Sequence, residues 1–311
     1  MIRTRASRKS RSFMPGTLVG YSGLTRSAMR ISLIAELPPG CFPLLLSARI
    51  DRTRAASSYG GSQERRSRAM ETDDIARQRI DLAAAFRWAA RLGFHEGVCN
   101  HFSVAVSPSG DRFLVNPHGR HFSEIRASDL LLVEPDGSVA GDGEPPEPTA
   151  FFIHSRLHRG LPHARCILHT HMPYATALTT LEGGRLEPVN QNALRFYDQI
   201  AYDDEYNGLA LDEAEGDRMC TALGNRQIMF MANHGVSVIG HSVAFAFDSM
   251  YYLERACRNQ VLAMSTGRPL KRVPDALARK VAQQIAGEDN SDRHFDALKR
   301  ILDREEPDYA A

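Results

Sequence analysis

Apolar residues recur at helical spacing from Ile75 through Leu82, Ala83, Phe86, Ala89 and Ala90, and Gly93 marks the stop. Phe102, Val104 and Val106 then alternate with polar neighbours. After the turn Pro-Ser-Gly-Asp, the run Arg112–Val115 completes the pattern of a β-hairpin. Leu130–Val133 reads as a further short strand. The segment Gly-Asp-Gly-Glu-Pro-Pro-Glu-Pro at 141–148 has to be loop. Thr149 is positioned to cap a helix that carries Phe152, Ile153 and Leu157 and ends at Gly160. Arg165–His169 reads as a buried strand, and Met172-Pro173 opens a helix running through Leu181. A helix over Asp212–Leu223, strands at Ile228–Met231 and Val236–Ile239, and a long helix opened by Ser242 follow. The expected core side of that last helix is Phe245, Met250, Leu253, Cys257 and Val261. Strands and helices mix without a strict βαβ rhythm. The architecture expected is a three-layer α/β/α sandwich with a mostly antiparallel central sheet.

Charge divides the chain unevenly. Residues 1–69 carry 13 Lys/Arg against 3 Asp/Glu, leaving 25 against 34 from residue 70 onward, a balance of −9. The acidic body offers no broad basic surface for nucleic acid. The basic stretch shows no sustained helical or strand period, and its apolar segment 42–46 is far too short to span a bilayer. Met70 is followed by Glu-Thr-Asp-Asp and an amphipathic run, as at a natural helix start. Residues 1–69 are therefore read as a disordered arm or an over-extended start rather than a transit or signal peptide. Residues 70–270 are the folded, metal-binding body, and 271–311 a polar helical tail. Five scattered cysteines without a CxxC pair argue against a disulfide framework or a thiolate metal site and fit a reducing, cytoplasmic setting.

Among twelve histidines, His169 and His171 stand apart. They flank Thr170 at a strand end, and residues i and i+2 of a strand point the same way, so two imidazoles can converge on one ion. His234 lies in Asn-His-Gly between two apolar strands, where Gly235 suggests a sharp turn or the close approach of another backbone. Three imidazoles leave a coordination position open, the arrangement of a catalytic rather than a structural metal. Zn2+ suits this donor set best, and Fe2+, Mn2+ and Co2+ also accept it. A rival pair, His154 and His158, shares one helix face, but Arg156 and Arg159 beside it disfavour a cation. There, one ring is expected to pack and the other to hydrogen-bond.

Cys-Asn-His-Phe-Ser at 99–103, Asn-Pro-His-Gly at 116–119, His154, His169-Thr-His171 and Asn233-His234-Gly235 together resemble the class II aldolase/adducin family over roughly residues 75–270. The wording Ala-Ser-Asp-Leu at 127–130 and Phe-Phe-Ile-His-Ser at 151–155 looks closest to its adducin-like branch. The resemblance implies an α/β/α fold, a homotetramer, and a divalent ion held by His169, His171 and His234. It also implies that Asn100, His118, Gly119 and Thr149 grip the phosphate or carboxylate end of a small-molecule substrate.

The activity implied is cleavage of a C–C bond in a hydroxycarbonyl or keto acid by metal-stabilised enolate chemistry. Decarboxylation on the same site is a close rival, and a non-catalytic adducin-like interaction module is the alternative of a different kind. One departure bears on this choice. Sugar-phosphate aldolases of the family place a glutamate four residues before the helix histidine, where this chain has Ala150. Glu147 could substitute as the acid/base if its loop bends inward, and Tyr197, Tyr202 and Tyr206 are further proton sources.

Overall fold

The computed structural model describes residues 52–141 and 143–311, with side chains from Glu71 onward. The expectations for residues 1–51 lie outside this range. Helix α1 spans Arg52–Leu92. It begins well before Met70, so the helix start expected there is not one. Residues 52–69 lack an apolar stripe, so hydrophobic periodicity gave no sign of this extension.

Strands β1 (His101–Ala105), β2 (Phe113–Val115) and β3 (Leu131–Val133) form an antiparallel meander. Helix α2 (Pro148–Gly160) leads into β4 (Cys166–Thr170), and β4 into α3 (Pro173–Thr179). The short helix α4 (Gln191–Leu194) and strand β5 (Ile200–Asp203) follow, neither foreseen from periodicity. Helix α5 (Glu213–Leu223), β6 (Ile228–Met231), β7 (Gly235–Gly240) and α6 (Val243–Met264) complete the body. The seven strands lie in the order β3-β2-β1-β4-β7-β6-β5, and every neighbouring pair is antiparallel except β5 with β6. The sandwich expected from the sequence is the fold observed.

Period-two alternation divides the strands between two cores. Phe102, Leu168, Val238 and Phe230 face the larger one, beneath α1, α3 and α6. Ile167, Ile239 and Met229 face the other way, against Ile153 and Leu157 of α2 and Met219 of α5. In the larger core Phe86 stacks on Phe102 at 4.7 Å and meets Phe122 edge-on at 4.6 Å. Such ring pairs contribute roughly 0.5–1.5 kcal/mol beyond their area burial. In α6, Phe247 is the buried aromatic and Phe245 is only half-buried. Met250, Leu253 and Cys257 are buried as expected, and Phe245 alone leaves that face, because 100° per residue brings position 247 rather than 245 round to Met250 and Cys257.

The segment after residue 270 is helical, as α7 (Asp275–Ala286) and α8 (Ser291–Glu305). It is not a free tail. Phe295, Leu298, Leu302 and Tyr309 are buried in the larger core. The buried Arg87 of α1 pairs with Glu306 at 3.1 Å and Asp308 at 2.9 Å, and Trp88 Nε1 donates to the Leu298 carbonyl at 3.0 Å. Truncating the fully buried Leu302 to Ala is therefore expected to lower unfolding stability by about 3 kcal/mol in urea titrations. A tail that merely trails from the body would leave the midpoint unchanged.

Candidate metal centre

The centre is assembled by strand register. Antiparallel β4 and β7 pair His169 with Ser237 and Thr170 with Val236. The turn joining β6 to β7 therefore abuts the end of β4. That turn needs Asn233 in the left-handed region at φ 56°, which Asn tolerates better than most residues. A Cβ on Gly235 would stand 2.7 Å from His171 Cδ2 and 2.7 Å from the Thr170 carbonyl oxygen. Glycine is required here by the close approach of the two segments.

The result is a three-imidazole cluster. The facing ring nitrogens of His169, His171 and His234 all lie within 4.8 Å of one another. The ring centroids are 5.1 Å (169–171), 4.9 Å (169–234) and 5.0 Å (171–234) apart. His169 Nδ1 donates to the Val236 carbonyl at 3.1 Å, which fixes its tautomer and frees Nε2 as a ligand atom. The Nε2 of His171 is buried without a hydrogen-bond partner. A buried orphan of this kind needs an explanation, and a bound cation provides one. Burial holds all three imidazoles below their ordinary pKa, His234 at about 4, with the neighbouring rings adding to the effect at His169 and His234. Neutral imidazole is the metal-binding form. The donor set thus fits a divalent ion of the zinc type.

The residues expected to grip substrate are distributed differently. His118 lines the cavity that opens on the triad, whose volume is about 280 Å³. Thr149 also lines it, but its hydroxyl donates to Glu147. Asn100 is buried behind the centre. Its Oδ1 accepts from the Glu96 amide at 2.7 Å and the His171 amide at 3.4 Å, so it braces the loop beside the triad. Gly119 is an exposed turn residue with φ 74° and is not among those lining the cavity.

Glu147, rather than Thr149, is the N-cap of α2, accepting from the Ala150 amide at 2.9 Å. Pro148 at the first helical position places the cap two residues upstream of the Thr. The loop does bend inward, and Glu147 lines the cavity. Burial raises its carboxyl pKa, but the hydrogen bonds from Thr149 and Ala150 outweigh this and leave it below the ordinary carboxylate value. Of the three tyrosines, only Tyr206 lines the cavity, its ring 6.5 Å from that of His234. The Tyr202 hydroxyl accepts instead from the Leu186 amide, and Tyr197 stands at the clefts beside α4.

Two features were not foreseen. His154 and His158 both hydrogen-bond to Ser103, so neither simply packs. Glu254 of α6 is buried and accepts from the Tyr174 and Ala175 amides at 2.8 and 2.9 Å, capping α3 directly behind the His-Thr-His strand end. Burial drives its pKa up to about 7 despite those amides. No local signal marks a cap supplied from 80 residues away.

The model of the Class II Aldolase and Adducin N-terminal domain matches residues 80–261. The chain belongs to that family. An aldolase II superfamily protein from Pseudomonas syringae shares 34% identity and a TM-score of 0.70, over 76% of this chain and 96% of its own. L-fuculose 1-phosphate aldolase from Glaciozyma antarctica is 26% identical with a TM-score of 0.67, over 76% and 93%. Decarboxylase NovR of Streptomyces niveus is 28% identical over 73% of this chain and 84% of its own. Among the described residues, no helix is long and apolar enough to cross a membrane.

Two outcomes are expected. Gly235→Ala should fold yet bind zinc at least about tenfold more weakly in a competition titration, because the added methyl displaces His171. Undiminished affinity would contradict the close approach. The second concerns pH. His101 and His158 are held at about 4 by burial, whereas an unfolded His titrates near 6.5. Acid protonates the unfolded chain first, so this contribution to stability is complete above about pH 6.5 and lost progressively toward about pH 4. Urea midpoints should accordingly fall between pH 7 and pH 5, and equal midpoints would refute the assignment.

Proposed function

We propose that the protein is a metal-dependent lyase cleaving a C–C bond in a hydroxycarbonyl or keto acid. The observation that carries this reading is the convergence of three imidazoles, one with a buried unpartnered nitrogen, in the lining of one cavity. His169, His171 and His234 would hold the ion, Zn2+ before Fe2+, Mn2+ or Co2+. When bound, a divalent ion supplies Lewis-acid polarisation of a carbonyl and stabilises negative charge developing beside it.

The chain's own groups favour a weakly charged substrate. Glu147, Asp203, Glu205 and Glu215 line the cavity with a single guanidinium, Arg218. Arg218 is already paired with Asp203 and Glu215, both at 2.7 Å. Among the described residues, a phosphate dianion would meet four carboxylates and no uncommitted cation, which supports a hydroxycarbonyl or keto acid instead. Ile153, Leu209, Met219 and Met231 give the remaining wall an apolar surface.

Glu147 stays ionised at neutral pH and can accept a proton from a substrate hydroxyl, the step that retro-aldol cleavage requires. Tyr206, which also lines the cavity, can return one. Decarboxylation is the second reading. It needs no base to remove a hydroxyl proton, Ala150 stands where the family's glutamate would be, and a relative of similar extent is named a decarboxylase. A purely adducin-like binding role is disfavoured, because it gives no reason to keep three imidazoles converged on a cavity. A homotetramer follows from the family resemblance. The four cysteines of the described residues are all free, which supports a cytoplasmic setting.

Metal analysis by mass spectrometry is expected to find one divalent ion per chain and loss of most of it in His169→Ala. Hydroxycarbonyl and keto acid substrates are then screened for aldehyde and carbon dioxide separately. Aldehyde release that falls by about a hundredfold in Glu147→Gln supports retro-aldol cleavage with that base. Carbon dioxide release insensitive to the substitution selects decarboxylation. Protein that takes up no metal would refute both.

A further inference from the structure

A second set of histidines lies on the α2 side of the sheet, beside the triad and distinct from it. His101 and Ser103 of β1 point to the same face, one strand across from His169, with which His101 pairs in register. They meet His154 and His158 of α2 in an unbranched chain of hydrogen bonds. His101 Nδ1 lies 2.6 Å from His154 Nε2, and His154 Nδ1 contacts Ser103 Oγ. Ser103 Oγ is 2.7 Å from His158 Nε2, and His158 Nδ1 is 2.5 Å from the Ala164 carbonyl oxygen. All four side chains are buried. The far end is closed by a backbone carbonyl, and the near end, His101, lines the cavity.

The closed end sets the direction of every proton in the chain. A carbonyl oxygen only accepts, so His158 Nδ1 carries the hydrogen. Burial drives the His158 pKa down to about 4, so the ring is neutral and its Nε2 is bare. Ser103 therefore donates its single proton to His158. Having spent that proton, its oxygen must accept from His154 Nδ1–H. His154 is also neutral, its pKa pushed well down by burial and the neighbouring rings, so its Nε2 is bare and accepts from His101 Nδ1–H. The opposite polarity would require an extra proton on a wholly buried imidazole, whose desolvation penalises the charge.

We infer that His101 presents a bare Nε2 lone pair to the cavity and there accepts a hydrogen bond from a substrate hydroxyl. It is thus a specificity-determining residue held in one tautomer by Ser103, His154 and His158. A carbonyl or carboxylate oxygen at that point would face a lone pair and be rejected. That the acceptor meets a substrate hydroxyl rests on the lyase reading. The tautomer of His101 does not.

The nitrogen spectrum of the full chain with 15N-labelled histidine, recorded at neutral pH with and without zinc, tests the tautomer. His101, His154 and His158, each identified by the signal lost in His101→Leu, His154→Gln or His158→Gln, should all show the neutral Nδ1–H pattern. A His101 ring carrying its proton on Nε2 would overturn the inference, as would an unchanged His101 pattern in Ser103→Ala. The hydroxyl is tested with two probes on the zinc-loaded chain. Lactate and glycerate share the carboxylate and 2-hydroxyl that chelate a metal, and glycerate adds one further hydroxyl. Calorimetry should find glycerate about tenfold tighter in the native chain and the two equal in His101→Leu. Equal affinities in the native chain, or a preference that survives in His101→Leu, would also overturn it. A chain that cannot be loaded with zinc sinks the lyase reading alone, and the metal-free nitrogen spectrum still decides the tautomer.

Discussion

The antiparallel register of β4 is the constraint on which the site depends. It lies between β1 and β7, so its neighbours are fixed on both sides by backbone hydrogen bonds. Pairing with β7 brings the His234 turn against the end that carries His171. Pairing with β1 sets His101 opposite His169. A slip of one residue would turn every side chain of β4 to the other face, burying His169 against α3 and α6 and exposing Leu168 to α2. The alternation of Ile167 and Leu168 between two apolar cores opposes that slip, because either residue would then meet the wrong layer. Core packing and the site therefore share one cause.

Supports at and beyond the strand ends hold this arrangement. Glu254 caps α3 just beyond His171, and Asn100 ties the preceding loop to the His171 amide. Gly235 allows the β6–β7 turn to come within contact of Thr170. Each satisfies or makes room for backbone rather than touching the cavity contents. A centre built on strand ends gains rigidity in this way at little conformational cost, because its supporting backbone is already ordered by the sheet.

The electrostatics of the cavity follow from depth. The imidazoles are neutral because burial penalises their charged form, while Glu147, capping a helix and accepting two hydrogen bonds, remains anionic. Neutral donors and a nearby carboxylate are complementary to a cation, and among the described residues the acids lining the cavity outnumber its one arginine, which is itself paired. The buried relay through His154, Ser103 and His158 adds directionality, since one carbonyl at its far end orders the protons of all its members.

Local pattern was enough for most of the scaffold. The alternating run at 102–106, the short apolar runs at 165–169, 228–231 and 236–239, and helical spacing at 75–90 and after Ser242 each reported an element directly, because the signal is complete within a few residues. The spacing His-Thr-His, with a glycine after His234, pointed to converging imidazoles for the same reason. What local pattern could not carry was any relation made across distance. The docking of the segment after α8 on Arg87, the inward bend that brings Glu147 to the cavity, the choice of Tyr206 over Tyr197 and Tyr202, the cap from Glu254 and the linkage of His101 to His158 all join residues that only the tertiary fold brings together. Their side chains carry no periodic mark, since a single hydrogen bond or ion pair constrains one position and leaves its neighbours free.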